Sequence, residues 1–223
     1  MRIHHIFLIL FIVIINSCSN SSNQNFRETS TSAENLSGWT VPIKDIVGDF
    51  NPFPLVENPT MSTIADVSGL DDESEVAVIS FNNKVKIYPL SFVHSFETVN
   101  DTLDNNNFTL SYCPITQSTV IINRGYLSQK LILRASGILY KENLVMHDNT
   151  SNSFWSQMLL IKIKGTSQRE LLSIFPMIET SWKTAKTYFP NALVFTNKSV
   201  VSSKSNEVIK STENINNNEK VFG

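Results

Sequence analysis

Cysteine is scarce in this sequence, since only Cys18 and Cys113 occur in 223 residues. Cys18 ends an apolar leader, so Cys113 is the one thiol in the body of the mature chain, which cannot form an internal disulfide. A single thiol also argues against thioredoxin-type redox chemistry, which needs a second cysteine. Of four histidines, two lie in the leader, which leaves His94 and His147 for catalysis or metal binding.

A strong net charge and the familiar nucleotide-binding motifs are also lacking. The formal charge of -2 gives no electrostatic case for nucleic acid as a partner. The chain has no phosphate loop, no dinucleotide fingerprint and no Gly-x-Ser-x-Gly nucleophile elbow. The sequence therefore identifies no cofactor and no protein or small-molecule partner. Hydrophobic residues make up 41% of the chain, which is enough for the core of one domain of ordinary size.

The N-terminal residues are typical of a secretory signal peptide. Residues 1–5 form a short basic start, and residues 6–15 are an unbroken apolar run of ten residues. Such a run is too short to span a bilayer. It ends in Ile15-Asn16-Ser17-Cys18, which resembles the lipobox of bacterial lipoproteins, where the cysteine is acylated. We predict a signal peptide over residues 1–17.

The predicted acylation of Cys18 makes a membrane the one partner that the sequence identifies. Residues 18–38 consist mostly of Ser, Asn, Thr and Gln, so we predict a lipidated N-terminus and a flexible tether there. The predicted location is the bacterial cell envelope, on the periplasmic side of a membrane or at the cell surface. Residues 39–196 form the predicted domain, and residues 197–223 are predicted to be a disordered or truncated tail.

Alternating apolar residues predict many short strands. Residues 75–88 form the clearest hairpin, with Asn82-Asn83 as its turn, because asparagine tolerates positive φ. Helical spacing predicts one short helix over residues 89–99 and another over residues 179–188. Arg124-Gly125 is predicted to be a turn between strands. Since short strands outnumber helices, we predict a mostly β (α+β) fold, an antiparallel sandwich or barrel-like sheet with two short helices.

The segment Tyr112-Cys113-Pro114 is a candidate active site. A strand that ends in Cys-Pro presents its thiol where pairing must stop, because proline donates no backbone hydrogen bond. One interpretation makes Cys113 a nucleophile with His147 or His94 as its base. Glu97 or Asp148 would then orient that base, and Cys113, Glu97 and His147 are the predicted catalytic residues. The competing interpretation is a buried, inert cysteine, because free cysteine is among the most buried residue types.

A metal site is a further interpretation of the same region. Cys113, His94 and His147 are soft or borderline ligands that suit copper or zinc. The three come from different predicted elements, so the sequence does not bring them together. Other polar and aromatic residues of this region are candidates for a ligand pocket, namely Tyr112, Asn100, Asp101, Asp148, Trp155 and Gln157. Such residues also occur as helix caps, turns or core side chains.

Short blocks of the sequence occur in the order and spacing of a known family. The blocks are Ile87-Tyr88-Pro89-Leu90, Glu97-Thr98-Val99-Asn100-Asp101, Tyr112-Cys113-Pro114-Ile115, Ser136-Gly137-Ile138-Leu139-Tyr140 and Phe154-Trp155-Ser156-Gln157. On these residues the chain resembles the family called domain of unknown function 3179, a set of mostly bacterial and often exported proteins. The resemblance runs from about residue 39 to residue 195 and implies no established activity.

Departures from the family pattern weaken the case for thiol or metal chemistry. Many members read Cys-Pro-Leu-Cys-Gly, whereas Thr116 and Gln117 stand here in place of the second cysteine and the glycine. The histidine of the family's Trp-His-Glu is replaced by Phe96, and the usual tyrosine of a third block is His147. We therefore predict a cell-envelope lipoprotein that is non-catalytic or degenerate, with a thiol- or metal-dependent site centred on Cys113 as the alternative.

Overall fold

The computed structural model describes residues 38–196, except residues 126, 128–129 and 167–168. The predicted signal peptide, the acylation site Cys18 and most of the tether lie outside the described residues, as does the predicted tail over residues 197–223. Within the described residues, no helix has the length and apolar character needed to cross a membrane.

Fourteen short strands and two α-helices make up the described part of the chain. The helices are α1 (Leu90–Val93) and α2 (Trp182–Tyr188). The strands are β1 (Ile46–Val47), β2 (Met61–Thr63), β3 (Glu75–Phe81), β4 (Lys84–Pro89), β5 (Thr98–Leu103), β6 (Asn106–Cys113), β7 (Ser118–Asn123), β8 (Leu133–Tyr140), β9 (Asn143–Asp148), β10 (Ser153–Ser156), β11 (Ile161–Lys164), β12 (Ile174–Phe175), β13 (Ile178–Ser181) and β14 (Leu193–Phe195). The predicted class, a mostly β fold with antiparallel sheets and two short helices, is confirmed.

The strands form three sheets. Sheet A has the order β1-β8-β9-β10-β11, sheet B the order β12-β7-β6-β5, and sheet C the order β13-β3-β4-β14-β2. Paired strands are antiparallel except β14 and β4, which run parallel with Leu193 opposite Lys86. Parallel neighbours need a long connection. Here the chain builds sheet B and every strand of sheet A except β1 between leaving β4 and returning to sheet C.

Sheet B packs on sheet C with one face and on sheet A with the other. Ile121 of β7 belongs to a buried cluster with Tyr88 of sheet C, whereas the next residue, Ile122, packs with Leu133 of sheet A. Successive side chains of a strand point to opposite faces, so both faces of sheet B are buried. The outer face of sheet C is covered in turn by α2, whose Trp182 packs on that sheet.

The hairpin predicted over residues 75–88 is confirmed as β3 and β4. Asn82 and Asn83 form its turn with φ of 47° and 66°. A tight hairpin turn of type I′ needs positive φ at both central residues, which asparagine accepts more readily than other side chains.

Both predicted helices are shorter in the structure than the helical spacing indicates. The first ends at Val93, and strand β5 begins at Thr98 after Glu97, which has φ of 57°. Val99 is then buried by the pairing of β5 with β6, a tertiary contact that overrides the local helical pattern. The second helix starts only at Trp182, because residues 178–181 extend sheet C as β13.

A buried arginine joins the sheets where β7 ends. Arg124 is 1% exposed, and its guanidinium donates hydrogen bonds to the carbonyl oxygens of Phe108 at 3.0 Å, Leu131 at 3.0 Å and Asp101 at 3.3 Å. Burial lowers the pKa of Arg124, and the nearby carboxylate of Glu57 opposes that effect. Its predicted place at a turn is correct, but the side chain is a core group rather than a solvated one.

Replacing Arg124 by methionine should destabilise the protein strongly. Arg124→Met fills a similar volume but leaves three buried carbonyls without their donor. We expect a loss of about 3 kcal/mol or more in the free energy of unfolding, measured by urea denaturation. The matched control is Lys84→Met, which removes the exposed ion pair with Asp104 and should cost much less. Equal losses in the two variants would contradict the structural role of Arg124.

Candidate functional site

Cys113 lies at the end of β6, where the sequence places it, and its side chain is buried. It is 1% exposed and belongs to the cluster between sheets A and B, together with Leu133, Met146 and Trp155. The side chains of that cluster are apolar, and burying an uncompensated charge among them is costly. At this position Cys113 packs as a small apolar side chain.

His147 and His94 lie apart from this cluster. His147 follows Met146 on β9, so strand alternation points its ring to the opposite face of sheet A. There the ring lies between Phe50 and Phe154, with centroid distances of 4.8 and 5.0 Å. Its Nε2 is 2.7 Å from the Asn152 Oδ1, and its buried Nδ1 has no partner among the described residues. His94 is exposed at the end of α1.

The metal interpretation gains no support from the arrangement of these side chains. In the described ranges, no three His, Cys, Asp or Glu side chains are grouped so that they could hold a metal ion. Cys113, His94 and His147 are thus not assembled as a ligand set, and their metal role stays a prediction.

Glu97 is half-buried and adjoins the Tyr112-Cys113 segment through the backbone. Its carbonyl oxygen accepts a hydrogen bond from the Tyr112 N–H at 2.8 Å. Burial raises the pKa of the Glu97 carboxyl from the ordinary 4.5 to about 7. Tyr112 itself packs in the cluster between sheets B and C, on the face of β6 opposite to Cys113.

Asn100 uses all of its hydrogen-bonding capacity within the fold. Its Nδ2 donates to the carbonyl oxygens of Val56 at 3.0 Å and Leu133 at 2.7 Å. Its Oδ1 accepts from the Thr109 hydroxyl at 2.8 Å and from the Leu133 N–H at 3.1 Å. An amide can make about four hydrogen bonds, so this predicted pocket residue is fully engaged as a bridge between sheets B and A.

Asp101 is also engaged within the fold. It accepts hydrogen bonds of 2.6 Å each from the Lys86 Nζ, the Tyr88 hydroxyl and the Thr102 N–H. Burial, reinforced by the Asp101 charge, raises the pKa of Tyr88 well above its usual range.

Asp148 and Trp155 serve the turn between β9 and β10. Asp148 accepts from the Ser151 N–H at 2.8 Å and from the Ser151 hydroxyl at 2.6 Å. The indole N–H of Trp155 donates to the Ser153 hydroxyl at 2.8 Å, and the ring is completely buried. Asp148 also accepts from the Ile132 N–H at 2.8 Å, so both side chains are engaged within the fold.

Gln157 is the predicted pocket residue that leads to an open cleft. It is fully buried, and its Nε2 donates to the carbonyl oxygens of Ser111 and Ser118 at 3.2 Å each. Its Oε1 accepts from the Ser118 hydroxyl at 3.0 Å and from the Asn143 Nδ2 at 2.8 Å. Asn143 also donates to the Thr116 hydroxyl at 2.9 Å. This uncharged network ties the β6–β7 turn to the start of β9 and to the residue after β10.

The cleft beside this network has a volume of about 320 Å³. Its polar floor contains Thr116, Ser118, Asn143 and Ser156, and its apolar walls are Tyr140, Met158 and Leu159. Lys141 is the one charged residue of the lining. The combination of apolar walls with a few fixed polar groups is typical of small-molecule sites.

Sequence reasoning missed most of this cleft. Ser118, Asn143 and Ser156 are ordinary polar residues at strand ends. Ser118 belongs to sheet B and the other two to sheet A, so only the contact between the two sheets brings them together. The sequence singles out Thr116 only because many members of the family have a cysteine at that position. No motif signal marks the set, although Lys141 and Glu142, with φ of 49° and 62°, mark the hairpin turn that precedes Asn143.

Comparison with known families gives one match. A family model described as "Protein of unknown function (DUF3179)" matches residues 51–211, which is well over half of the chain. No curated protein and no solved structure matches the chain.

The raised pKa of Glu97 predicts a distinct pH dependence of stability. Between about pH 4.5 and 7 the folded protein holds a proton that the unfolded chain has released. The proton on Glu97 therefore contributes to the free energy of unfolding at low pH, and this stabilisation is lost as the pH rises through about 7. Glu97→Gln should remove this loss and be more stable than the wild type by about 2 kcal/mol at pH 8, with allowance for partial exposure.

Urea denaturation from pH 4.5 to 8.5 measures this effect. The matched control is Glu179→Gln, at an exposed glutamate of β13, which should follow the wild-type curve. Parallel curves for the wild type and Glu97→Gln would show that burial of Glu97 does not disfavour its charged form.

Proposed function

The chain belongs to the family described as protein of unknown function (DUF3179), and from this premise we propose that it is a cell-envelope lipoprotein whose domain is non-catalytic. The family description names no activity, so the proposal depends on the chain's own residues. Two independent features support it, the N-terminal sequence for the anchor and the surroundings of Cys113 for the lack of thiol chemistry.

The anchor is supported by the order of the N-terminal segments. A basic start, an apolar run of ten residues and Ile15-Asn16-Ser17-Cys18 follow one another, with a polar stretch behind them. Acylation of Cys18 would bury hydrocarbon in a bilayer, which contributes about 0.8 kcal/mol per methylene. The membrane would then hold the domain through a tether.

The non-catalytic assignment is carried by the burial of Cys113. A nucleophilic thiol has to be accessible and needs a base or a positive field. Cys113 is 1% exposed and its cluster is apolar. Thr116, where many family members carry a second cysteine, takes part in neutral hydrogen bonds with Asn143 and Ser118.

One observation favours the alternative of a thiol-dependent site. Glu97 has a pKa raised to about 7, and perturbed carboxyl groups cluster at functional sites. It adjoins Tyr112, the residue before Cys113, through a backbone hydrogen bond. For Glu97 to act as a general base toward Cys113, the buried thiol would have to become accessible.

Metabolic labelling with radioactive palmitate tests the anchor. We expect incorporation into the wild-type chain and none into Cys18→Ala, because Cys18 is the proposed acylated residue. The matched control is Cys113→Ala, which removes the chain's other cysteine and should keep the label. Label that persists in Cys18→Ala would contradict the proposal.

Iodoacetamide labelling tests the state of Cys113. In the full-length Cys18→Ala chain, Cys113 is the sole thiol. We expect almost no labelling of the native protein between pH 6 and 8, and complete labelling in denaturant, because the thiol is buried. Fast native labelling at pH 6, reduced by Glu97→Gln, His94→Ala or His147→Ala, would instead support the thiol-dependent alternative and identify its base.

A further inference from the structure

We propose that the cleft beside Gln157 binds a small uncharged molecule that carries a carboxamide group on a compact apolar body. The site does not include Cys113, so the inference is independent of the thiol and of the anchor. Three properties of the cleft carry it: a floor with fixed hydrogen-bond directions, unused hydrogen-bonding capacity in that floor, and apolar walls.

Backbone groups fix the orientation of both amides of the network. The Nε2 of Gln157 points to two carbonyl oxygens, those of Ser111 and Ser118, so its Oε1 faces Ser118 and Asn143, which line the cleft. The Met158 N–H donates to the Asn143 Oδ1 at 3.3 Å, so the Nδ2 of Asn143 faces Thr116 and Gln157. Neither amide can flip without placing two like groups together.

These orientations leave one acceptor position on Thr116. The Ser118 hydroxyl donates to the Gln157 Oε1 at 3.0 Å, so in the 2.8 Å contact between the hydroxyls Thr116 donates to Ser118. The Asn143 Nδ2 has two protons and three neighbouring acceptors, of which the Gln157 Oε1 at 2.8 Å and the Thr116 hydroxyl at 2.9 Å are nearer than the Ser118 hydroxyl at 3.2 Å, so we take Thr116 to accept from it. A hydroxyl has one donor and two acceptor positions, so one lone pair of Thr116, an exposed residue, is open to a ligand N–H that would replace water.

Ser156 supplies the complementary donor. It is 2% exposed and lines the cleft, and its hydroxyl oxygen accepts from the Leu159 N–H at 3.3 Å. Among the described residues, its own proton is donated to no group. A buried hydroxyl proton without an acceptor is unusual. A carboxamide matches both positions, because its C=O accepts from Ser156 and its N–H donates to Thr116.

The walls and the charges define the rest of the ligand. Met158 and Leu159 are 57% and 46% exposed, and together with Tyr140 they offer an apolar surface to the ligand body. Among the described residues, no acidic side chain lines the cleft. The one charged lining residue is Lys141, whose Nζ lies 5.7 Å from the centroid of the Tyr140 ring and 4.0 Å from the Asp45 carboxylate. The volume of about 320 Å³ equals roughly ten water molecules, which fits a ligand with about ten non-hydrogen atoms.

Three matched probes test the proposal on the full chain by NMR titration: benzamide, acetophenone and benzoate. Benzamide has the proposed head group, acetophenone replaces its NH₂ by CH₃, and benzoate carries a charge. We expect benzamide to shift the amide signals of residues 116–118, 143 and 156–159, and to bind about tenfold more tightly than acetophenone, the worth of one neutral hydrogen bond. Benzoate should bind more weakly still, because its carboxylate has no N–H to donate to Thr116 and loses hydration among the uncharged groups of the floor.

Thr116→Val separates recognition from simple apolar binding. It keeps the shape of Thr116 but removes the acceptor, so the affinities for benzamide and acetophenone should become equal. The control Tyr188→Ser, at an exposed residue of a separate cleft of about 430 Å³, should leave all affinities unchanged. No binding of benzamide at 10 mM, roughly the weakest affinity worth measuring, would overturn the proposal. Equal binding of benzamide and acetophenone to the wild type would also overturn it.

Discussion

The packing of sheet B against sheet A depends on the buried guanidinium of Arg124. Its donors hold carbonyl oxygens of β5, of β6 and of the segment that leads into β8, so one side chain joins sheet B to the start of sheet A. A buried charge of this kind is tolerated only when its hydrogen bonds are satisfied. The carboxylate of Glu57, 3.7 Å away, adds a compensating charge. The places of β5, β6 and β8 relative to one another are fixed by this arrangement.

A second buried charge joins sheet B to sheet C in the same manner. The carboxylate of Asp101 on β5 accepts from Lys86 and Tyr88, both on β4. The Lys86–Asp101 pair is 2.6 Å apart with both side chains almost fully buried. Asp101 belongs to a sequence block that resembles a family motif, yet its bonds are all made within the fold. The hydrogen bonds of this motif residue are thus accounted for by the fold itself.

Much of the fold could be predicted from local pattern, and the exceptions have physical reasons. The hairpin over residues 75–88 was predictable because alternation and turn chemistry are local properties. Strand β5 was not predictable, because Val93 and Glu97 continue a helical spacing. Only the pairing with β6 makes the residues after Glu97 a strand rather than a helix. The burial of Arg124 was not predictable either, because an Arg-Gly pair after a strand has the composition of an exposed turn. Only tertiary contacts bury its side chain.

The candidate site was less predictable, because residue type does not reveal whether hydrogen-bonding capacity is already used. Asn100 and Gln157 were equal candidates in the sequence, and both are saturated in the fold. Thr116 was not a candidate, and Ser156 entered only as the middle residue of the block Trp155-Ser156-Gln157, yet in the proposed site they supply the acceptor and the donor. The chain turns between Cys113 and Thr116, so the thiol faces the core while the threonine faces the cleft. An inert Cys113 is therefore compatible with ligand binding in the cleft, and a substitution can change one of these properties without changing the other.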